Sequence, residues 1–269
     1  MQRAGLPWGE PGMGIDGAGW LDAVWGVGSF AVKTCASIPV AIVRHPGEML
    51  AQFEHVAVRS LPIVLGAGLS VGLATWLQTH RLLVQHGAES TLPSFLAVAV
   101  LVEIGPVLAG LLVASRMGAG LAAELGTMAL NEEIDARLAL GVDPVPSLVA
   151  PRAMACTLAV PLLTVILDAA ALLGGLGAEL AAGKLTPQLF WSKALAFLHL
   201  GDVIPATLKT AVFGLLIGLA ACWTGLNAGR SAEEVGRAAI RGVVRSVLAV
   251  FASNVVMVPL IQWAVAGGR

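Results

Sequence analysis

Five long apolar runs divide this chain, separated by short polar stretches in which arginine recurs. A helix that crosses the hydrocarbon of a bilayer needs about twenty mostly apolar residues. Leu61–Thr79, Leu92–Ser115, Ala153–Ala178, Ile204–Leu226 and Ser246–Ala266 reach that length or come close to it. They hold one charge each at most: Glu103 in the second, Asp168 in the third and Lys209 in the fourth. Their glycines and prolines do not oppose helix, because spanning helices tolerate both. The pattern predicts an all-α integral membrane protein, a single membrane domain with a five-span core over residues 61–266.

A sixth apolar stretch, Leu21–Val43, is interrupted by Asp22 and Lys33 and ended by Arg44-His45-Pro46-Gly47. With Trp20 and Trp25 at its start it reads as a helix lying in the membrane surface, the rival being a sixth span. Residues 1–20 are a Gly- and Pro-rich tail with no charged region leading into an apolar run, so no cleavable signal peptide is expected.

Basic residues orient the spans. Arg44, Arg59, Arg116, Arg137, Arg152, Arg230, Arg237, Arg241 and Arg245 fall on one side, against Arg81, Lys184, Lys193 and Arg269 on the other. The N-terminus and the two Arg-rich connections are expected in the cytoplasm and the C-terminus outside.

Composition agrees. Of 269 residues 57% are hydrophobic and 12% charged, where a soluble domain carries about a quarter charged; mean hydropathy is +0.84. The net charge of −1 lacks the basic excess that a nucleic-acid partner requires. Cys35, Cys156 and Cys222 sit singly in apolar surroundings with no metal-ligand spacing and read as small buried residues.

The richest stretch is Glu103 to Gly175. Glu103-Ile104-Gly105-Pro106 puts an ionisable group beside a proline, where a bend is expected. Such a group within hydrocarbon either pairs, here with Lys209, or faces a substrate path. Arg116 and Glu124, eight apart, fall near one helix face. Asn131-Glu132-Glu133-Ile134-Asp135-Ala136-Arg137-Leu138-Ala139-Leu140-Gly141 reads as a short complete helix. Asn131 is its expected N-cap, Glu132, Glu133 and Asp135 favour its positive end, and Gly141 ends it ahead of Pro144 and Pro146. Ile134 and Leu138, one turn apart, give it a small apolar face. It is either packed on the membrane surface or a docking element for a cytoplasmic partner.

Several motifs in order carry a resemblance: Glu103-Ile104-Gly105-Pro106, Ser115-Arg116-Met117-Gly118-Ala119, Ala123-Glu124-Leu125-Gly126-Thr127-Met128, Glu133-Ile134-Asp135-Ala136, Gly141-Val142-Asp143-Pro144, Pro151-Arg152 and Lys209-Thr210-Ala211-Val212-Phe213-Gly214. Over roughly residues 48–260 the chain resembles the MlaE/YrbE permease family. The resemblance implies the permease of an ABC transporter that moves phospholipids or related lipids between the bacterial inner membrane and an MCE-domain carrier, maintaining outer-membrane asymmetry. It implies a homodimer with two cytoplasmic ATPase subunits that bind ATP and Mg, and no cofactor, metal or catalytic residue in this chain. Glu103, Asp202 and Lys209 match polar positions near a lipid cavity. Glu132, Glu133, Ile134, Asp135, Arg137 and Leu138 fall in the family's ATPase-coupling helix between spans two and three. Two departures stand out: Val102 where arginine is common, and Ala136-Arg137-Leu138-Ala139 where many members read Ala-Leu-Arg-Ala.

ATP chemistry is expected elsewhere, because the nearest approach to G-x-x-x-x-G-K-[ST], Gly177 to Lys184-Leu185, has the wrong spacing and no hydroxyl. Two rival readings are an intramembrane enzyme built on Glu103, Asp168 or one of His45, His55, His80, His86 and His199, and an ion-coupled secondary transporter of a small hydrophobic solute. The first lacks a matched catalytic pair and the second a visible inverted repeat.

Overall fold

The structure, a computed structural model, describes residues 19–44, 46–183 and 185–267. Most of the expected tail, residues 1–18, lies outside the described residues, as do His45, Lys184 and Arg269. The order is α1 (Gly19–Arg44), α2 (Pro46–Gln85), α3 (Leu92–Val98), α4 (Gly105–Leu130), α5 (Glu133–Ala139), α6 (Ala150–Ala182), α7 (Pro187–Ala196), α8 (Leu200–Leu226) and α9 (Ala232–Gly267). A π-helical turn, Ala99–Ile104, joins α3 to α4, and another, Val145–Val149, leads into α6. No strand occurs among the described residues.

All five expected spans fall inside helices, and six helical stretches are long and apolar enough to cross a membrane, Trp25–Ile42 among them. The helices overrun the apolar runs. α2 has 40 residues, about 60 Å at 1.5 Å per residue, twice the hydrocarbon thickness of about 30 Å. Arg116 and Arg152 therefore lie within α4 and α6, and Arg237, Arg241 and Arg245 within α9, rather than in loops as the apolar runs imply. Apolarity ends where the hydrocarbon ends; backbone hydrogen bonding continues until a cap or breaker intervenes.

Packing sorts the chain into two compact units, Met1–Phe53, Ala114–Cys156 and Leu215–Ala249 forming one, and Glu54–Val113, Thr157–Gly214 and Val250–Arg269 the other. α1 belongs wholly to the first, whereas α2, α4, α6, α8 and α9 each contribute to both.

In the first unit Phe30 of α1 meets Trp223 of α8 edge-on, ring centroids 5.1 Å apart. α4 and α9 touch at two glycines: a Cβ at Gly118 would stand 3.0 Å from the Gly242 carbonyl oxygen, and one at Gly242 would strike the Gly118 carbonyl. Backbone-to-backbone approach of this kind is how spanning helices gain dispersion energy without a hydrophobic drive between them.

In the second unit α2 crosses α6 in the same way. Gly68 and Gly72, four apart, lie against the carbonyls of Leu167 and Ala171, and Gly174 lies against that of Leu69. α3 packs on α7 around Leu92, Leu96, Ala97, Phe190 and Ala194. α7 falls in a stretch that apolar length assigns to a connection. Its start is nonetheless a regular one: Thr186 accepts from the Leu189 N–H (3.4 Å) and Pro187 takes the first position.

Candidate functional site

Glu103 lies in the π turn, two residues before Gly105 resumes the α-helix as α4 with Pro106 second in it. The expected irregularity at Gly105-Pro106 is thus a wide turn preceding them. Pro106 has no N–H for the carbonyl one α-turn back, Val102. Lys209 of α8 supplies the donor: Nζ is 3.2 Å from the Val102 carbonyl and 3.2 Å from Glu103 Oε2. Where the family commonly has arginine, Val102 contributes its backbone oxygen to this lysine.

The two partners differ in surroundings. The Lys209 side chain is 2% exposed and that of Glu103 44%. The pair is therefore formed, and its carboxylate still reaches an open surface. Asp202 is half-buried in the first turn of α8, seven residues or about two turns before Lys209, near the same helix face.

Two further acids were not part of that expected set. Asp168 of α6 is buried, its Oδ1 without a hydrogen-bond partner among the described residues, and its carboxyl lies directly against Gly105. Glu179, three turns further along α6, is also buried and accepts from the Trp76 indole N–H at 2.6 Å. His80 stacks on Trp76 with centroids 4.5 Å apart and planes 9° from parallel. Glu179 directly follows the apolar run Ala153–Ala178, and its signal in the sequence is a carboxylate on the α6 stripe that includes Thr164 and Asp168.

In the first unit the short acidic helix forms, with a different start. Asn131 N–H still bonds to Thr127 and closes α4. The residue before α5 is Glu132, in the left-handed region at φ 60°, with no side-chain cap. Asn131 is therefore not the N-cap, because its N–H belongs to the last turn of α4 and Glu132 takes the position before α5. The end is as expected. Gly141 has φ +75°, and the N–H groups of Gly141 and Val142 bond to the carbonyls of Leu138 and Arg137, a Schellman closure.

Arg230 pins α5 from the α8–α9 connection, 2.6 Å from Asp135 Oδ2 and 3.6 Å from Glu132 Oε1. Ile134 is buried at 4% exposure and Leu138 is half-buried, so the apolar face of α5 turns into the protein. The large apolar side chains exposed here are Leu140, 81% exposed, and Val142. Glu133 is exposed and Arg137 half-buried. Glu124 pairs with Arg152 of α6 (2.6 Å), which also donates to the Leu148 carbonyl. That contact joins two of the motifs on which the resemblance rests.

A family model described as Permease MlaE matches residues 49–260. A probable ABC transporter permease protein of Rickettsia typhi is 32% identical over 238 residues, covering 87% of this chain and 92% of that protein. A probable ABC transporter permease protein of Synechocystis is 35% identical over 205 residues, 76% and 78% of the two chains. The intermembrane phospholipid transport system permease protein MlaE of Haemophilus influenzae is 28% identical over 219 residues, 80% and 83%.

Proposed function

Because the chain belongs to the MlaE permease family, we propose that it is the membrane subunit of an ATP-driven transporter that moves phospholipids or related lipids between the inner membrane and an MCE-domain carrier, sustaining outer-membrane asymmetry. The observation that carries this reading is the family match over residues 49–260, on a multi-pass helical chain with a short helix between its second and third long spans. Relatives described as ABC transporter permeases and as a phospholipid transport permease support it.

The chain works as a homodimer with two separate ATPases. ATP-driven closure of the ATPases displaces the segment around α5. The spacing of the two permeases changes, and a lipid-sized cavity between them opens or collapses. Glu103 and Lys209, with Asp202 further along α8, present polar groups to a headgroup, while apolar helix faces hold the acyl chains. The N-terminus is cytoplasmic and the C-terminus periplasmic. α1 lies in the interface, a reading supported by Asp22 and Lys33, which interrupt its apolar run.

Docking rests on Leu140, Val142 and Glu133, which are among the exposed residues of the coupling segment. Leu140→Asp puts a charge on the most exposed apolar side chain there. It is expected to cut co-purification of the ATPase from detergent-solubilised native membranes by about tenfold, the effect of ~1.4 kcal/mol at an interface anchor. Ile134→Asp buries a charge and is expected to lower the yield of folded protein instead. Undiminished ATPase recovery with Leu140→Asp would contradict this docking.

A second reading, an ion-coupled transporter of a hydrophobic solute, is favoured by one observation, the buried acids Asp168 and Glu179 on one face of α6. It requires transport without the ATPase.

A further inference from the structure

The coupling segment ends in a junction of three elements that meet at one carboxylate. Asp143 follows the Gly141 turn by two residues. Its Oδ2 is 2.7 Å from Lys33 Nζ of α1. Its Oδ1 accepts from the Val145 N–H at 2.9 Å, and its backbone carbonyl accepts from Ser147 Oγ at 2.9 Å. Val145 and Ser147 open the π turn that leads into α6, and α1 packs against that same turn.

The sequence around Asp143 makes the junction stiff. Pro144 and Pro146 fix φ and have no N–H, so Val145 holds the N–H between them, and Asp143 takes it. A displacement of the chain at Gly141–Asp143 therefore reaches α6 through a short, proline-braced step. The second oxygen is held by an element far away in sequence. One side chain thus ties the end of the coupling segment, the start of α6 and α1 together. A helix start needs only the first of these contacts, and nothing in capping calls for the lysine.

We propose that Asp143 is a positioning residue for transport: through Lys33 it makes α1 move with the coupling segment and α6, so that the stroke of the ATPase shifts the surface helix as well as the span. This rests on the reading of the chain as an ATPase-coupled lipid permease. Each side chain is about two-fifths exposed, 43% for Lys33 and 40% for Asp143, so the link is a modest one. An exposed pair carries a coupling of about two- to fivefold in an equilibrium.

Lys33→Met removes the charge from α1. Asp143→Asn keeps an oxygen for the Val145 N–H and removes the charge that holds Lys33, so the helix start survives. The whole transporter, permease with its ATPase and MCE partner, is reconstituted in phospholipid vesicles, and lipid transferred per ATP hydrolysed is measured for the native chain, each single variant and the double variant. Each single variant is expected to lower that ratio about two- to fivefold, and the double variant no further than either. A cap with no part in coupling alters the yield or melting of the complex and leaves the ratio unchanged; that outcome, or losses that multiply in the double variant, overturns the proposal. Absence of ATP-dependent transfer by the native complex overturns the permease reading and this proposal with it, whereas native transfer with unchanged ratios overturns the junction alone.

Discussion

Replacing Glu103 with leucine is expected to destabilise the protein far more than replacing Lys209 with methionine, although Glu103 is the more exposed of the two. The ammonium of Lys209 is the buried charge, with a side chain 2% exposed. Taking away its carboxylate leaves that charge in a low-dielectric site with the Val102 carbonyl as its remaining hydrogen-bond partner among the described residues. Breaking a buried pair by deleting one partner costs about 3–5 kcal/mol, and the exposure of Glu103 puts this case near ~3. Lys209→Met removes the buried charge itself and fills its space with a flexible apolar side chain. Glu103 then keeps access to its open surface, and the main loss is a donor for the Val102 carbonyl, about 1 kcal/mol. Glu103→Gln, which still offers an oxygen, falls between. Thermal unfolding in detergent checks the order: native highest, then Lys209→Met, Glu103→Gln and Glu103→Leu. Equal midpoints for the Leu and Met variants would mean that the lysine is not held as described.

Gly72→Val is expected to prevent α2 from seating on α6. A Cβ at Gly72 would stand 2.6 Å from the Ala171 carbonyl carbon and 2.8 Å from its Cα, with the carbonyl oxygen nearer still. These are backbone atoms in the middle of a helix and cannot swing aside as a side chain can. Overpacking a core costs about 1–3 kcal/mol when side chains yield, and a main-chain collision exceeds that range. Gly66 is the control on the same helix, since a Cβ there meets nothing within 4 Å. Gly66→Ala is expected to leave the melting midpoint unchanged, Gly72→Ala to lower it and Gly72→Val to abolish recovery of monodisperse protein. A Gly66 variant as damaging as a Gly72 variant would point to backbone flexibility rather than close packing.

Much of the architecture is legible in the sequence because the bilayer imposes a length. Runs such as Ala153–Ala178 announce their helices, and Gly141 ahead of Pro144 announces where α5 stops. What escaped depends on partners distant in sequence. Gly68 and Gly72 show their four-residue spacing on inspection, but the carbonyls that make it matter come from α6. Arg116 and Glu124 share a helix face by spacing, yet the carboxylate goes to Arg152, 28 residues on. Ile134 has the spacing of an exposed knob and is buried instead, because α5 has one apolar face and the protein uses it for its own packing; Leu140, past the helix, is left outside. The Glu103–Lys209 pair was legible as a charge balance, whereas the part of Val102 needed the geometry of the π turn. Asp168 was visible as a lone acid in a span, but its place against Gly105 was not.

The most direct test of the central claim is transfer of labelled phospholipid by the reconstituted transporter. The native permease is placed in vesicles with the proposed ATPase and MCE-domain partners, and transfer is followed with ATP, with a non-hydrolysable analogue, and with an imposed proton or sodium gradient but no ATPase. An ATPase-coupled lipid permease predicts transfer that requires the ATPase and hydrolysable ATP and ignores the gradient. Transfer by the chain alone, driven by the gradient, would contradict it and assign Asp168 and Glu179 to ion coupling.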